Sequence, residues 1–254
     1  KDQYPYVGSL DIKGNPVHVK RVGDVTEYIK IKKLYKDKKY DFCLDLINEI
    51  MQSYPNSLFT AELLFYKVRV HSQLKEYDKV IEISKTYLRE YSSDENVPEV
   101  LALVARAYYK AGLTSDADYF FDRLFSEHSN SVYAKWGYVY KGEMLISSGS
   151  SKKARALFKK AMKTTDNIDV AVEAAYRLAK NLIANVKTKE AAKYIQKIVD
   201  AKPEYFEKNM FKSVGMMYEF VDNSDYESGA AIAQSILNEI NTNYDEYEEM
   251  LRDI

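Results

Sequence analysis

The stretch PEVLALVARAYYKAGLTSDADYFFDRLF, from Pro98 to Phe125, decides the fold class of this chain. Apolar residues recur at helical spacing in each half of it, and Gly112 between the halves is a helix stop signal. These apolar positions are Leu101, Val104, Ala105 and Tyr108 in the first half and Ala117, Phe121 and Leu124 in the second. The stretch therefore predicts two amphipathic helices, A and B, joined by a tight turn.

The same pattern returns on both sides of this stretch at a fixed interval. The small position of helix B falls at Cys43, Val80, Ala117, Ala154, Ala191 and Gly229, at intervals of 37, 37, 37, 37 and 38 residues. The position of helix A that should cross it falls at Ile31, Val68, Ala105, Gly142, Ala179 and Met217, at the same intervals. Because these two sets of positions recur with the same period, the sequence predicts six repeats of a helical hairpin.

This pattern resembles the tetratricopeptide repeat (TPR), in which helix B reads Ala-x-x-x-Phe-x-x-Ala and the usual period is about 34 residues. The resemblance implies an all-α fold, a right-handed α-solenoid of about six TPR-like helical hairpins, here with a period of 37; the residues before it predict a short N-terminal β-segment. Met217 with Gly229 fits the pattern poorly, so the sixth repeat is among the least regular. Residues at the predicted helix ends support this division into repeats, since Asn96 and Glu99 form a capping-box pattern and Gly149 is a second helix stop signal.

The first 23 residues differ from all that follow. Residues 1–23 alternate β-forming residues around Gly14, Asn15 and Pro16, which predicts a β-hairpin that either caps the first repeat or ends an upstream β-domain. Residues 24–254 are predicted to form the TPR-like solenoid, with six repeats and a partial seventh from about residue 244. We expect the chain to be a piece of a longer protein.

Composition excludes several functional classes. The net charge is −1 and the pI about 6.4, which argues against nucleic-acid binding because that requires a concentrated basic face. The sequence has no run of 18 apolar residues, so we expect no membrane span. The single cysteine, Cys43, precludes an internal disulfide and leaves the compartment open. The composition is that of an ordinary soluble globular protein.

Catalytic and metal-binding motifs are missing from the sequence. His18, His71 and His128 fall far apart in the chain without a partner at i,i+4, so no metal ligand set can be assembled from their spacing. We interpret His71 as a packing residue with a satisfied nitrogen. No phosphate-binding loop, nucleophile elbow or dinucleotide fingerprint occurs. The sequence predicts no catalytic residue, no metal, no cofactor and no enzyme.

The remaining candidate for a site is the concave groove that helix A lines in this family. Residues beside its packing stripe are expected to face the groove, where Arg69 and Arg106 would hold carboxylates of a partner and aromatic residues would anchor it. The predicted partner-binding residues are Tyr28, Lys32, Phe65, Arg69, Arg106, Tyr109, Trp136, Tyr176 and Lys180. Tyr35, Glu143, Ile146, Ile183, Phe211, Val214 and Tyr218 are expected to line the same face. Equally, these residues could only cover the packing of neighbouring A helices.

Three functional hypotheses follow. The first is a scaffold that binds protein partners, including copies of itself. The second is a carbohydrate- or peptidoglycan-contacting adaptor, and the third is a regulatory repeat domain of a larger protein. The helical pairs KKYDFCLDLINEIMQSYPNS and KEYDKVIEISKTYLREYSSD resemble bacterial periplasmic repeat proteins of envelope assembly, and weakly the paralysed-flagellum scaffolds of polar flagellar motors. That resemblance implies a periplasmic role in the disk that holds stator units; without it we expect a cytoplasmic protein.

Overall fold

A computed structural model describes residues 6–10, 16–20, 23–55 and 57–252, with side chains from residue 26 to 55 and from 57 to 241. The chain divides into two compact units, Lys1–Leu124 and Phe125–Ile254. Each unit has its own hydrophobic core, and the two are described separately below.

Two short strands precede the helices of the first unit. Strand β1 (Tyr6–Leu10) pairs antiparallel with strand β2 (Pro16–Lys20), with Val7 opposite Val19 and Leu10 opposite Pro16. The turn predicted at Gly14 and Asn15 lies outside the described residues. The division into a β-segment over 1–23 and a solenoid over 24–254 stays a prediction.

Helical hairpins make up nearly all of the described chain, in agreement with the predicted fold class. The first unit contains α1 (Gly23–Lys36), α2 (Tyr40–Ser53), α3 (Thr60–Gln73), α4 (Tyr77–Glu90), α5 (Val97–Lys110) and most of α6 (Thr114–Glu127). The second contains α7 (Val132–Ser147), α8 (Ser151–Thr164), α9 (Ile168–Ala184), α10 (Thr188–Ala201), α11 (Glu204–Lys208), α12 (Met210–Asp222) and α13 (Tyr226–Arg252). Within each unit, successive hairpins pack side by side, so that α1 contacts α3, α3 contacts α5 and α7 contacts α9.

The same turn joins helix A to helix B in every repeat. One residue with positive φ closes each turn, and its neighbour donates a backbone hydrogen bond five residues back, as Leu113 does to Tyr108 at 2.9 Å. The residues with positive φ are Lys38, Lys75, Gly112, Gly149, Val186 and Ser224. This arrangement satisfies the last carbonyls of helix A. Gly112 and Gly149 are confirmed as the predicted helix stops, and the interval of 37 or 38 residues recurs in the backbone itself.

All the crossing positions on helix B and five of the six on helix A are buried, and the sixth on helix A, Met217, is partly buried. Five of the six small positions on helix B have no exposed surface, and the sixth, Gly229, is also buried. In the first repeat, the Cys43 thiol lies 3.8 Å from the Ile31 carbonyl on helix A. In the last, a Cβ on Gly229 would lie 3.4 Å from the backbone oxygen of Met217, so even this poorly matched pair meets.

Three sequence-based details were wrong. Helix A of the sixth repeat, which the repeat pattern predicts as unbroken over about residues 204–221, breaks at Asn209, because α11 packs separately on α13 and buries Tyr205 and Phe206. No break occurs at residues 242–243, where α13 continues to Arg252. The capping box does not form either: the Asn96 amide donates to Asp94 at 2.9 Å, while the Glu99 carboxylate is held by Arg69.

Among the described residues, no helix combines the length and apolarity that crossing a membrane requires.

Candidate functional site

Four of the predicted groove residues in the first unit lie in one aromatic cluster. Tyr28 stacks on Phe59 with ring centroids 4.7 Å apart, and the Lys32 ammonium lies 4.7 Å from the Tyr28 ring centre. The Arg69 guanidinium lies 5.0 Å from the Phe65 ring and 4.8 Å from that of Tyr35. Lys32 and Arg69 each lie near the aromatic ring four residues earlier in the chain, because residues three or four apart lie on one face of a helix.

Arg69 also binds a carboxylate, but one from its own chain. Its Nε donates to Glu99 Oε1 at 2.8 Å, linking α3 to α5, and the Glu99 side chain is almost buried. Burial alone would lower the pKa of Arg69, but Glu99, Tyr35 and Tyr66 together raise it above its usual value. A partner carboxylate at this point would have to share the guanidinium with Glu99.

Arg106 and Tyr109 lie further along the same unit, on α5. Both are half-buried, and the Lys110 ammonium lies 4.7 Å from the Tyr109 ring centre. They are therefore accessible in part, as a groove position requires, and their role stays a prediction.

The second unit contains a cleft between α9 and α12 with a volume of about 670 Å³. Its walls are mostly apolar, and its charged lining residues are Lys180, Lys212 and Glu219. Five of the residues expected to face the groove line it: Tyr176, Lys180, Phe211, Val214 and Tyr218. Phe211 is 97% exposed, although it is one of the largest apolar side chains in the chain. Such a combination of apolar wall and few polar groups is typical of ligand sites.

A network of ion pairs and hydrogen bonds, which includes the lining residues Tyr176 and Lys212, joins the two walls of the cleft. The Glu173 carboxylate on α9 accepts from Arg177 Nε at 2.8 Å, from Lys212 Nζ at 2.9 Å and from the Tyr205 hydroxyl at 2.7 Å. The Tyr176 hydroxyl donates to the Lys212 carbonyl at 2.7 Å. These contacts join α9 to α11 and α12, so the cleft is a preformed feature of the unit.

The environment of this network shifts two pKa values in opposite directions. Burial alone would raise the pKa of Glu173, but Arg177, Lys212 and Tyr205 outweigh it and hold that pKa below its usual value. Burial and the Glu173 charge raise the pKa of Tyr205. The carboxylate is therefore ionised and the phenol protonated at neutral pH.

Trp136, the third predicted groove residue of this unit, does not line the cleft. It stacks on Tyr140 with ring centroids 5.9 Å apart and packs against the core. Glu143 occupies the repeat position at which the other repeats carry the cations Lys32, Arg69, Arg106 and Lys180, and it accepts from Arg177 at 3.0 Å. The second unit thus places Tyr176 and Lys180 together and Trp136 elsewhere.

Sequence reasoning missed a set of carboxylates on the A helices, of which Glu99 pairs with the groove cation Arg69 and Glu173 with Arg177 and Lys212. Glu62, Glu99 and Glu173 occupy one repeat position, with Trp136 between the last two, at intervals of 37 residues. The comparison of residues at intervals of 37 that revealed the crossing positions could also have revealed these carboxylates. Met210 and Lys212 were missed for a different reason, since the break at Asn209 was not anticipated.

No group of three or more His, Cys, Asp or Glu side chains among the described residues could hold a metal ion. His71 is buried with its Nδ1 2.5 Å from Glu76 Oε2, which confirms the interpretation of a packing residue with a satisfied nitrogen.

Comparisons with known proteins support the fold described above. No protein-family model matches the chain, and no curated protein matches its sequence. Among solved structures, the chain is similar to TTC0263, a thermophilic TPR protein from Thermus thermophilus, with 17% identity over 85% of this chain and 100% of that one and a TM-score of 0.58.

Two further structures have a TM-score of 0.63. A Rap protein complexed with Competence and Sporulation Factor is 15% identical over 87% of this chain and 75% of its own. The apo form of the quorum sensor NprR from B. thuringiensis is 13% identical over 85% and 75%. These likenesses support the TPR-like repeat fold. They lend no support to the resemblance to a flagellar-motor scaffold.

Proposed function

We propose that this chain is a non-enzymatic protein–protein interaction scaffold that holds a partner in the cleft between α9 and α12. The cleft carries this proposal, because it is preformed, has a volume of about 670 Å³ and presents the exposed Phe211 ring beside Lys180. Aromatic anchors next to a cation are typical of interaction hot spots.

The solved neighbours are consistent with binding in such a fold. One of them was crystallised with a bound factor, and its TM-score to this chain is 0.63. The predicted residues of the first unit contribute differently. Arg69 is already paired with Glu99, so in this proposal the Tyr28, Lys32, Phe65 and Arg69 cluster is a partly exposed aromatic surface rather than a pair of carboxylate clamps.

A site-specific crosslinking experiment tests the cleft. A photo-reactive phenylalanine at position 211 of the intact protein should crosslink one partner in the native cell, and Lys180→Glu should abolish that product. Position 119 is a matched control, because Tyr119 is also a large exposed aromatic, on α6 of the other unit. A partner trapped equally from positions 119 and 211, or unaffected by Lys180→Glu, would refute the cleft as its site.

The setting of the scaffold is a finer proposal that rests on sequence resemblance alone. We place it in the bacterial periplasm, as a structural component such as an accessory scaffold of the flagellar motor that organises the stator or disk. An envelope-assembly or peptidoglycan-associated adaptor and a regulatory repeat domain of a larger protein are the alternatives. Cell fractionation tests the compartment, and swimming assays of a deletion strain test the motor role; a cytoplasmic protein and a fully motile strain would contradict both.

A further inference from the structure

Helix α8 in the second unit carries an unusual set of charges. Its 14 residues include five lysines and one arginine but no aspartate or glutamate. The Arg155 guanidinium is directed towards α9, where it donates to Asn181 Oδ1 at 2.8 Å. The five lysines are exposed instead, and they are Lys152, Lys153, Lys159, Lys160 and Lys163. The outer side of α8 is therefore strongly positive.

Helix α10, one repeat further along, extends this positive surface. The Lys159 ammonium lies 3.3 Å from Glu190 Oε1 on α10, so the two helices lie side by side. Three exposed lysines follow one another on α10 at intervals of four residues, and they are Lys189, Lys193 and Lys197. The carboxylates of α10 are Glu190 and Asp200. We call the eight lysines of α8 and α10 the lysine face; the net charge of the chain, −1, gave no sign of it.

The fold does not require lysine at these positions. Lys152 and Lys189 occupy one repeat position, and the equivalent residues of α2 and α4 are Asp41 and Asp78. The repeat position of Lys193 also carries carboxylates in those two helices. Both aspartates are exposed, so the outer side of a B helix accommodates either charge.

The lysines also disfavour the helices that carry them. Like charges four residues apart repel each other along a helix, as Lys189, Lys193 and Lys197 do in succession. Lys152 lies in the first turn of α8, where the helix dipole favours acidic residues over basic ones. Helix stability therefore gives no reason for these lysines, whereas binding of an anionic surface does.

The composition of the lysine face indicates which kind of anionic surface it suits. Every large apolar side chain of α8 and α10, two helices that are described throughout, is buried or partly buried. Protein interfaces are centred on aromatic residues and arginine and are depleted of lysine, and single-stranded nucleic acid stacks on exposed aromatic rings. Lysine is a compact, strongly hydrated point charge, and clusters of about four to eight basic residues bind anionic lipids.

The arrangement of the lysine face fits a planar partner. Each of the two helices is about 21 Å long, and the contact of Lys159 with Glu190 places them next to each other. The lysines are therefore spread over an area. A flat surface meets such an area at many points at once, whereas a cylindrical nucleic-acid duplex meets it along one line.

We propose that the lysine face of α8 and α10 binds the headgroups of anionic phospholipids at a membrane surface. The association is electrostatic and peripheral, so it needs no apolar segment within the bilayer. The lysine face shares no residue with the lining of the cleft between α9 and α12. This proposal is therefore independent of whether a partner binds in the cleft.

Sedimentation of the intact protein with phospholipid vesicles tests the proposal. One set of vesicles contains phosphatidylcholine alone, and the other contains phosphatidylcholine mixed with anionic phosphatidylglycerol. We expect binding to the anionic vesicles to be roughly tenfold or more tighter and to weaken as salt is added. Equal binding to the two sets, or no binding to the anionic one, would overturn the proposal.

Charge reversal locates the contact on α8 and α10. A variant that combines Lys152→Glu, Lys189→Glu and Lys193→Glu should bind the anionic vesicles less tightly by roughly fivefold for each lysine replaced. Because α2 and α4 carry carboxylates at the same repeat positions, we expect this variant to fold, and circular dichroism checks it. Unchanged binding by the folded variant would show that the membrane contact lies elsewhere.

A matched control separates the lysine face from the net charge of the chain. Lys30→Glu, Lys33→Glu and Lys36→Glu replace three exposed lysines of α1 in the first unit and change the net charge by the same amount. This variant should bind like the wild type, and a loss as large as that of the α8 and α10 variant would refute the assignment. A DNA duplex that binds more tightly than the anionic vesicles and displaces them would refute it too, because the face would then serve nucleic acid.

Discussion

Gly142 on α7 lies directly against the ring of Phe158 on α8, so closely that a Cβ at position 142 would be 2.5 Å from Phe158 Cε1. Both residues are completely or almost completely buried. The absence of a side chain at residue 142 is what allows these two helices to cross at this distance.

Gly142→Ala should therefore destabilise the second unit, although alanine favours helices. Overpacking of a well-packed crossing costs about 1 to 3 kcal/mol, which exceeds the gain of about 1 kcal/mol in helix propensity. Gly215→Ala on α12 is the matched control, because a Cβ there would meet nothing within 4 Å, and it should be neutral or stabilising. Urea unfolding of both variants measures the difference. Equal stability of the two would contradict the crossing.

A substitution at Val186 should change the stability of the second unit in the opposite direction. It has a φ of 59° at the turn between α9 and α10, where β-branched residues are strained, and it is 83% exposed. Val186→Gly should raise the free energy of unfolding by about 1 kcal/mol, since glycine adopts this conformation without steric cost. The reciprocal Gly112→Val should lower it. A melting temperature that falls in Val186→Gly would refute the turn geometry.

The charge of Glu173 should make stability depend on pH. Its pKa is lower in the folded chain than in the unfolded one, so its contribution is present above the ordinary carboxyl pKa, about 4.3, and is lost as the pH falls through the lower folded value. Glu173→Gln leaves Arg177 and Lys212 without this counter-charge and should cost about 2 to 4 kcal/mol at pH 7.

Unfolding of Glu173→Gln and wild type at a series of pH values tests this sign. The difference between the two should be constant from pH 7 to about 5 and should shrink below about pH 4. A difference that grew on acidification would mean that the carboxylate is not held in its ionised form. Lys159→Gln is a suitable control, because its bond to Glu190 at 3.3 Å is exposed to solvent.

Arg69 should contribute to the stability of the first unit. Arg69→Ala leaves the nearly buried Glu99 carboxylate without its 2.8 Å donor and removes a cation from the rings of Tyr35 and Phe65. We expect a loss of about 1 to 3 kcal/mol. Arg69→Lys keeps the charge and should lose less, as measured by thermal unfolding. If Arg69→Ala were as stable as wild type, the pair with Glu99 would have no energetic role.

The repeat frame could be predicted from the sequence because it depends on local patterns. Small residues at helix crossings and glycines with positive φ at Gly112 and Gly149 leave a signature that recurs at a fixed interval. The same turn at Val186 or Lys75 has no such signature, because neighbouring hydrogen bonds impose the conformation on a residue that does not favour it.

The site was less predictable because it depends on contacts between repeats. The Arg69–Glu99 pair joins residues 30 positions apart, and only the register of one hairpin against the next brings them together. The break at Asn209 has no glycine or proline to announce it and follows from the separate packing of α11. Tyr176, Lys180, Phe211, Val214 and Tyr218 were expected to face one groove and do line the cleft, whereas Met210 and Lys212, just after the unpredicted break, were not expected there.

Cys43 gives the chain a built-in chemical reporter. It is the only cysteine in the sequence, is completely buried against Ile31, and burial raises the pKa of its thiol to about 11. A thiol-specific alkylating reagent can therefore label the chain only when the first hairpin opens, so the rate of labelling under native conditions measures how often Cys43 becomes accessible.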